Sequence, residues 1–241
     1  MFKLRAREER GKTLTDWLDS SHSFSFAQYF DPFNMGFSDL RVINDDIVAP
    51  DGGFKLHPHA NMEIISIILS GELEHKDSMG VSQILHPGHV QVMSAGSGIM
   101  HSEFNPSSVN FLHFLQIWIL PHKKNFDPSY SSKEFSKDKM HNRLCLIVSG
   151  SGERGSLKIH QDAEVYQCII DADKTVLYDL PENRKQWIQV AKGAIEVNSN
   201  ILEAGDGMSV VNEHGELEIT GVDDESNFVL FNFCLLYTSD A

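Results

Sequence analysis

Residues 65–77 read ISIILSGELEHKD, and residues 84–93 read ILHPGHVQVM. A run of β-branched and aliphatic residues reaches a glycine, a shorter alternating run follows it, and a Pro-Gly pair leads into a third run. Short runs of this kind, punctuated by Gly and Pro, are strand signals. The same order returns in WIQVAKGAIEVNSN (187–200) and ILEAGDGMSVV (201–211), where Gly193 aligns with Gly71, Glu196 with Glu74 and Gly205 with Gly88. A tight turn needs a residue that accepts positive φ, which is the physical reason for a glycine at matching places. The chain thus carries two copies of one β unit.

The remaining runs agree. MEIISIIL (62–69), HVQVMSA (89–95), FLHFLQIWIL (111–120), SLKIH (156–160), MSVV (208–211) and NFVLFNF (227–233) read as strands. Helical periodicity is scarce, and one or two turns are expected near 127–137. Many short strands at regular spacing predict an all-β fold of two similar barrels or jelly rolls. The polar, turn-rich stretch PHKKNFDPSYSSKEFSKDKMHNR (121–143) predicts the boundary, giving domains 1–130 and 131–241.

Composition narrows the partners. The 241 residues are 41% hydrophobic and 22% charged, enough for a packed core, and the formal net charge is −14. Such a surface repels phosphate backbones and anionic lipid, so neither nucleic acid nor membrane is expected as a partner. The three cysteines are widely spaced with no CxxC, which signals neither a disulfide framework nor a thiolate zinc site. MFKLRAREERGK (1–12) has no apolar stretch of a secretory signal, and no apolar run approaches membrane-spanning length. A cytoplasmic monomer is expected.

The chemistry lies in HPHANME (57–63) and GSGIMHSEFNPS (96–107). On a strand, residues two apart project from one face, so His57 and His59 can converge on one ion, and Glu63 has the same parity. Alone, such a pair more often marks solvated histidines. The second stretch adds His101 and Glu103, again on alternate residues, with Asn105 beyond. Three imidazoles and a carboxylate suit a borderline divalent ion such as Fe(II), Ni, Co, Cu, Zn or Mn, and not Mg or Ca. Parity leaves open whether Glu63 or Glu103 supplies the carboxylate. The second copy has no HxH, so metal chemistry is expected in the first domain alone. His22, His75, His86, His89, His113, His122, His141, His160 and His214 are read as ordinary histidines, with His113 alone a candidate to line the barrel. The aromatic stretch FSFAQYFDPF (24–33) is read as core and cap.

Three segments carry a family resemblance: WLDSSHSFSFAQYFDPFNMGFSDLRVINDD (17–46), HPHANMEIISIILSGELEHKDSMG (57–80) and MSAGSGIMHSEFNPS (93–107). They resemble the pirin family, most closely its bacterial quercetin-dioxygenase-like branch. The resemblance implies a bicupin whose N-terminal barrel holds one divalent metal, Fe(II) first, at His57, His59, His101 and Glu103. It implies a metal-free C-terminal barrel. It also implies a dioxygenase that opens flavonols such as quercetin with O2 and releases carbon monoxide, with Glu103 as proton acceptor and Glu63 as the alternative base. The rival reading within the resemblance is a metal- or redox-sensing regulatory protein that binds a transcription factor or a metabolic enzyme. The last residues, CLLYTSDA (234–241), depart from the family and are expected to be vector-derived.

Overall fold

The computed structural model describes residues 1–234. The regular structure of the described chain is nearly all strand, with one four-residue α-helix, Lys137–Met140, and two three-residue 3-10 turns. No helix among the described residues is long and apolar enough to cross a membrane. Ser129–Glu134, inside the stretch expected to hold helical turns, is a strand paired with His89–Ser94. Its polar side chains sit on a half-buried edge, where pairing overrides weak strand propensity.

The chain divides into two compact units. One comprises residues 10–136 and 157–161, and the other residues 1–9, 137–156 and those from 162 on. This differs from a cut at 130/131, because pairing and not composition sets the division. Ser129–Glu134 completes the first unit, and the N-terminal strand Phe2–Arg5 pairs with Gly207–Val210 in the second. Cys234 ends the strand Ser226–Cys234, opposite Arg184, and the rest of the tail lies outside the described residues.

In the first unit a seven-stranded antiparallel sheet runs in the order Ser129–Glu134, His89–Ser94, Glu63–Ser70, Leu112–Ile119, Leu40–Val48, Leu18–His22, Gly11–Leu14. A four-stranded sheet runs Gly53–His59, Ile99–Phe104, Leu73–Asp77, Ser82–Leu85. Leu18, Val48, Ile68, Leu112 and Phe114 of the large sheet pack on Leu73 and Leu85 of the small one. The second unit repeats the plan. Cys168, Ile188, Val190, Phe228 and Leu230 face Ile195, Val197, Leu202, Leu217 and Ile219. Each such side chain contributes roughly 1.5–3 kcal/mol on burial. Cys168 is buried, which pushes its thiol up to about 12, and none of the three cysteines forms a disulfide.

The repeat is real in backbone terms: Gly71, Gly88, Gly193 and Gly205 have φ of 77°, 91°, 71° and 96°. A Cβ on Gly71 would lie 2.4 Å from the Phe111 carbonyl oxygen, whereas one on Gly80 (φ 93°) would meet nothing within 4 Å. Gly80→Ala should therefore cost only the ~1–2 kcal/mol of left-handed strain, and Gly71→Ala clearly more. Urea midpoints of the two variants check this, and equal losses would contradict it.

The copies differ inside. At the repeat's offset Ser66 corresponds to Ile188, His75 to Val197 and Gln91 to Met208. The three positions are apolar core in the second unit and buried polar residues in the first. Burying polar groups costs free energy unless they are paired, so the first unit's polar interior needs a chemical reason.

Candidate metal centre

Gly53–His59 and Ile99–Phe104 are antiparallel neighbours in the small sheet, with His101 opposite His57 and Ile99 opposite His59. Alternation turns Ile99, His101 and Glu103 inward and leaves Met100 exposed. A register shift separates His101 from Glu103, which sits opposite Phe54 on one side and His75 on the other. Such an irregularity re-aims a side chain next to a site.

The imidazoles of His57, His59 and His101 meet, with ligand-grade nitrogens all within 4.8 Å of one another. Their ring centroids lie 4.5–4.9 Å apart. His57 donates Nδ1–H to the Lys55 carbonyl (2.6 Å), leaving Nε2 as its lone-pair nitrogen. His101 is 1% exposed, and both of its ring nitrogens are buried without a partner. An orphaned buried polar atom costs roughly 1–3 kcal/mol, a penalty that a bound ion removes. Trp118 stands edge-on to His59 at 4.9 Å, and Phe26 edge-on to Trp118 at 5.4 Å. A depression of about 560 Å³, lined by Pro58, His59, Ala60, Ser78, Gly98, Ile99 and Met100, opens beside His59.

Glu103 does not join that triad of nitrogens; it forms a second group, within the same spacing, with His101 and His75. Its carboxylate is cradled. Oε1 accepts Gln91 Nε2 (2.6 Å) and Ser66 Oγ (3.2 Å), and Oε2 accepts Gln116 Nε2 (2.6 Å). Glu63, equally buried, belongs to neither group: Ser94 Oγ donates to Oε2 (2.6 Å) and His160 Nδ1 to Oε1 (3.3 Å). Asn105 is a structural clamp, donating to the carbonyls of Val48, Ala49 and Asn110.

Two histidine readings change. His75 is wholly buried and part of the centre: Nε2 donates to Asp77 Oδ2 (3.1 Å) and its ring stacks on Tyr130 at 4.5 Å. The legible signal was alternation, since His75 and Asp77 are spaced like His57/His59 and His101/Glu103. His113 points instead to Asp45 (2.6 Å), a partner of Arg10. His22 is a bonded core histidine, tied to Thr13 and Asn44. In the aromatic stretch Phe24 is core, while Phe30 and Phe33 are exposed.

Without metal, burial and then the neighbouring imidazoles depress His59 from 6.5 to about 4 and His101 to about 3. Both are therefore neutral near pH 7, as metal ligands must be. The unfolded chain takes up these protons first, so the associated stability is present above pH 6.5 and is lost as pH falls through 6.5 towards 4. The metal-free protein should show urea midpoints that fall across this window, with a shallower fall in His59→Gln. An unchanged slope in that variant would contradict the assignment.

The sequence pattern of the Pirin family matches residues 3–119, and that of the quercetinase C-terminal cupin domain matches residues 146–233. Quercetin 2,3-dioxygenase of Escherichia coli K12 is 43% identical over 96% of this chain and 98% of its own. A pirin-like protein of Caulobacter vibrioides is 41% identical over 86% of this chain and 89% of its own. The crystal structure of the bacterial pirin YhhW of E. coli in complex with nickel(II) superposes with a TM-score of 0.91 at 41% identity, covering 97% of this chain and 99% of that one.

Proposed function

We propose, since the chain belongs to the pirin family of two-domain cupins, that it is a metal-dependent dioxygenase opening flavonols such as quercetin with O2 and releasing carbon monoxide. The observation that carries the metal half of this reading is His101, buried with two unpartnered nitrogens beside His57 and His59. The donor set fits the group: His57, His59 and His101 would hold the ion, with Glu103 as carboxylate ligand. Fe(II) is the ion we favour, and nickel(II) is the one held by the similar E. coli pirin. Bound there, the ion would supply Lewis-acid chemistry, lowering the proton affinity of a flavonol 3-hydroxyl.

The chain's own residues do the rest. Glu103 accepts the 3-hydroxyl proton at a carboxylate oxygen, held for that task by the Gln91 and Gln116 amides and the Ser66 hydroxyl. The Lys55 carbonyl fixes the His57 tautomer. Trp118 and Phe26 offer aromatic surface beside His59 to a flat substrate. Glu63, occupied by Ser94 and His160, supports the start of the strand Glu63–Ser70 and lies outside the proton path. The flavonolate then reacts with O2; both oxygen atoms enter the opened product, and one ring carbon leaves as carbon monoxide.

Protein loaded in turn with Fe(II), Co(II) and Ni(II) should consume O2 with quercetin and release carbon monoxide in equal amounts. Failure with every ion would overturn the enzymatic reading in favour of the regulatory one.

A further inference from the structure

Two overlapping donor sets occupy the interior of the first unit. One is His57, His59 and His101; the other is His75, His101 and Glu103, all three buried. Each set keeps its ligand atoms within 4.8 Å of one another. Two donors each ~2.1 Å from one ion lie at most ~4.2 Å apart, so either set closes on an ion with small side-chain adjustments.

His75 is prepared in the way a ligand is prepared. Asp77 Oδ2 takes its Nε2–H, and Asp77 Oδ1 is fixed by the backbone N–H groups of Met79 and Val81. That leaves Nδ1 as the lone-pair nitrogen, buried and without any partner. A carboxylate that takes one imidazole N–H and leaves the other nitrogen free is the recurrent support of a metal-bound histidine. Packing alone does not explain the arrangement: the corresponding position of the second unit is Val197, in an apolar core.

We infer that the centre has a second, inner metal position, formed by His75, His101 and Glu103. The inference rests on the proposed metal chemistry of this site but not on any substrate. A neutral imidazole has one lone pair, so His101 serves one ion at a time, and the two positions are alternatives for a single ion. They differ in ligand chemistry. With Glu103 as its fourth ligand, the outer position offers three imidazoles and a carboxylate, which suit Fe(II), Ni, Cu and Zn. The inner set is two imidazoles and one carboxylate, the donor set of non-haem Fe(II) sites.

The test is metal binding by the full chain, free of substrate. The pair His57→Ala/His59→Ala dismantles the outer set only. Titrated anaerobically with Co(II), and separately with Fe(II), the pair should still bind one ion per chain, measured by equilibrium dialysis and, for Co(II), by its visible d–d absorption. Adding His75→Ala should lower that affinity by more than the ~10–100-fold that loss of a ligand's outer partner costs. His75→Ala in the otherwise intact chain should keep one Ni(II), held by the outer set. Should the alanine pair fail to fold by circular dichroism, the near-isosteric pair His57→Gln/His59→Gln carries the same test. A folded pair that binds no Co(II), or binds it equally with and without His75, overturns the inner position. Quercetin turnover decides the dioxygenase reading separately, because neither result depends on it.

Discussion

His101→Ala is expected to leave the protein without transition metal and without flavonol-dependent O2 uptake. His101 is the imidazole common to both donor groups, so no other arrangement among the described residues replaces it. Loss of affinity should exceed the ~10–100-fold caused by removing an outer partner of a ligand. Folding should tolerate the change better than burial alone suggests. The wild-type imidazole has no hydrogen bond to lose, and its removal relieves two orphaned nitrogens that cost roughly 1–3 kcal/mol each in the metal-free state. The smaller side chain leaves a cavity, which works the other way. Thermal unfolding separates these effects. At about 100 times Kd an ion adds roughly 2.7 kcal/mol to the stability of the wild type, and it should add nothing to the variant. A variant that holds one ion per chain would place the metal elsewhere. An ion retained in the second unit would further contradict the apolar replacement of Ser66, His75 and Gln91 by Ile188, Val197 and Met208.

The sequence shows the parts of this architecture that rest on local chemistry. Gly71 and Gly193 announced matching hairpins because positive φ is a local demand, and both adopt it. His57, His59 and His101 were legible because strand parity fixes which side chains share a face. What stayed hidden depends on partners far along the chain. Phe2–Arg5 joins the second unit through Gly207–Val210, and nothing in its own four residues says so. Leu40–Val48 gives no strand signal because Asn44 and Asp46 break its apolar run, yet both are buried in the polar interior. His75 is hidden for a related reason. Its hairpin resembles that of the second copy, and only the three-dimensional approach of Ile99–Phe104 sets it against His101 and Glu103. The polar interior thus masks strand signals in the region where the candidate chemistry lies.

Glu103→Gln and Glu63→Gln, two identical changes in two buried carboxylates, are expected to diverge. In the first, the new amide places an NH2 where an oxygen accepted the Gln91 or the Gln116 amide, both at 2.6 Å. Donor then faces donor. Turning Gln91 round reverses its bond with Tyr130, whose hydroxyl then accepts from Gln91 and donates to Gln83, and turning Gln116 likewise reverses its bond with Ser66. The network can therefore re-form around the amide, and the loss of stability should stay near ~1 kcal/mol. The amide is also a poor ligand for a borderline cation and brings no charge to offset the ion's, so metal and activity should fall together. Glu63→Gln meets partners that adjust in the same way. The Ser94 hydroxyl can rotate to accept from the amide while the remaining oxygen accepts from His160, so the loss should stay near ~1 kcal/mol. Because Glu63 joins neither donor group, this variant should keep its metal and most of its O2 uptake. Metal analysis of both proteins, with quercetin-dependent O2 consumption alongside, decides the matter. Metal lost from Glu63→Gln but kept in Glu103→Gln would move the carboxylate ligand to the strand Glu63–Ser70 and remove Glu103 from the centre, and the inner set with it.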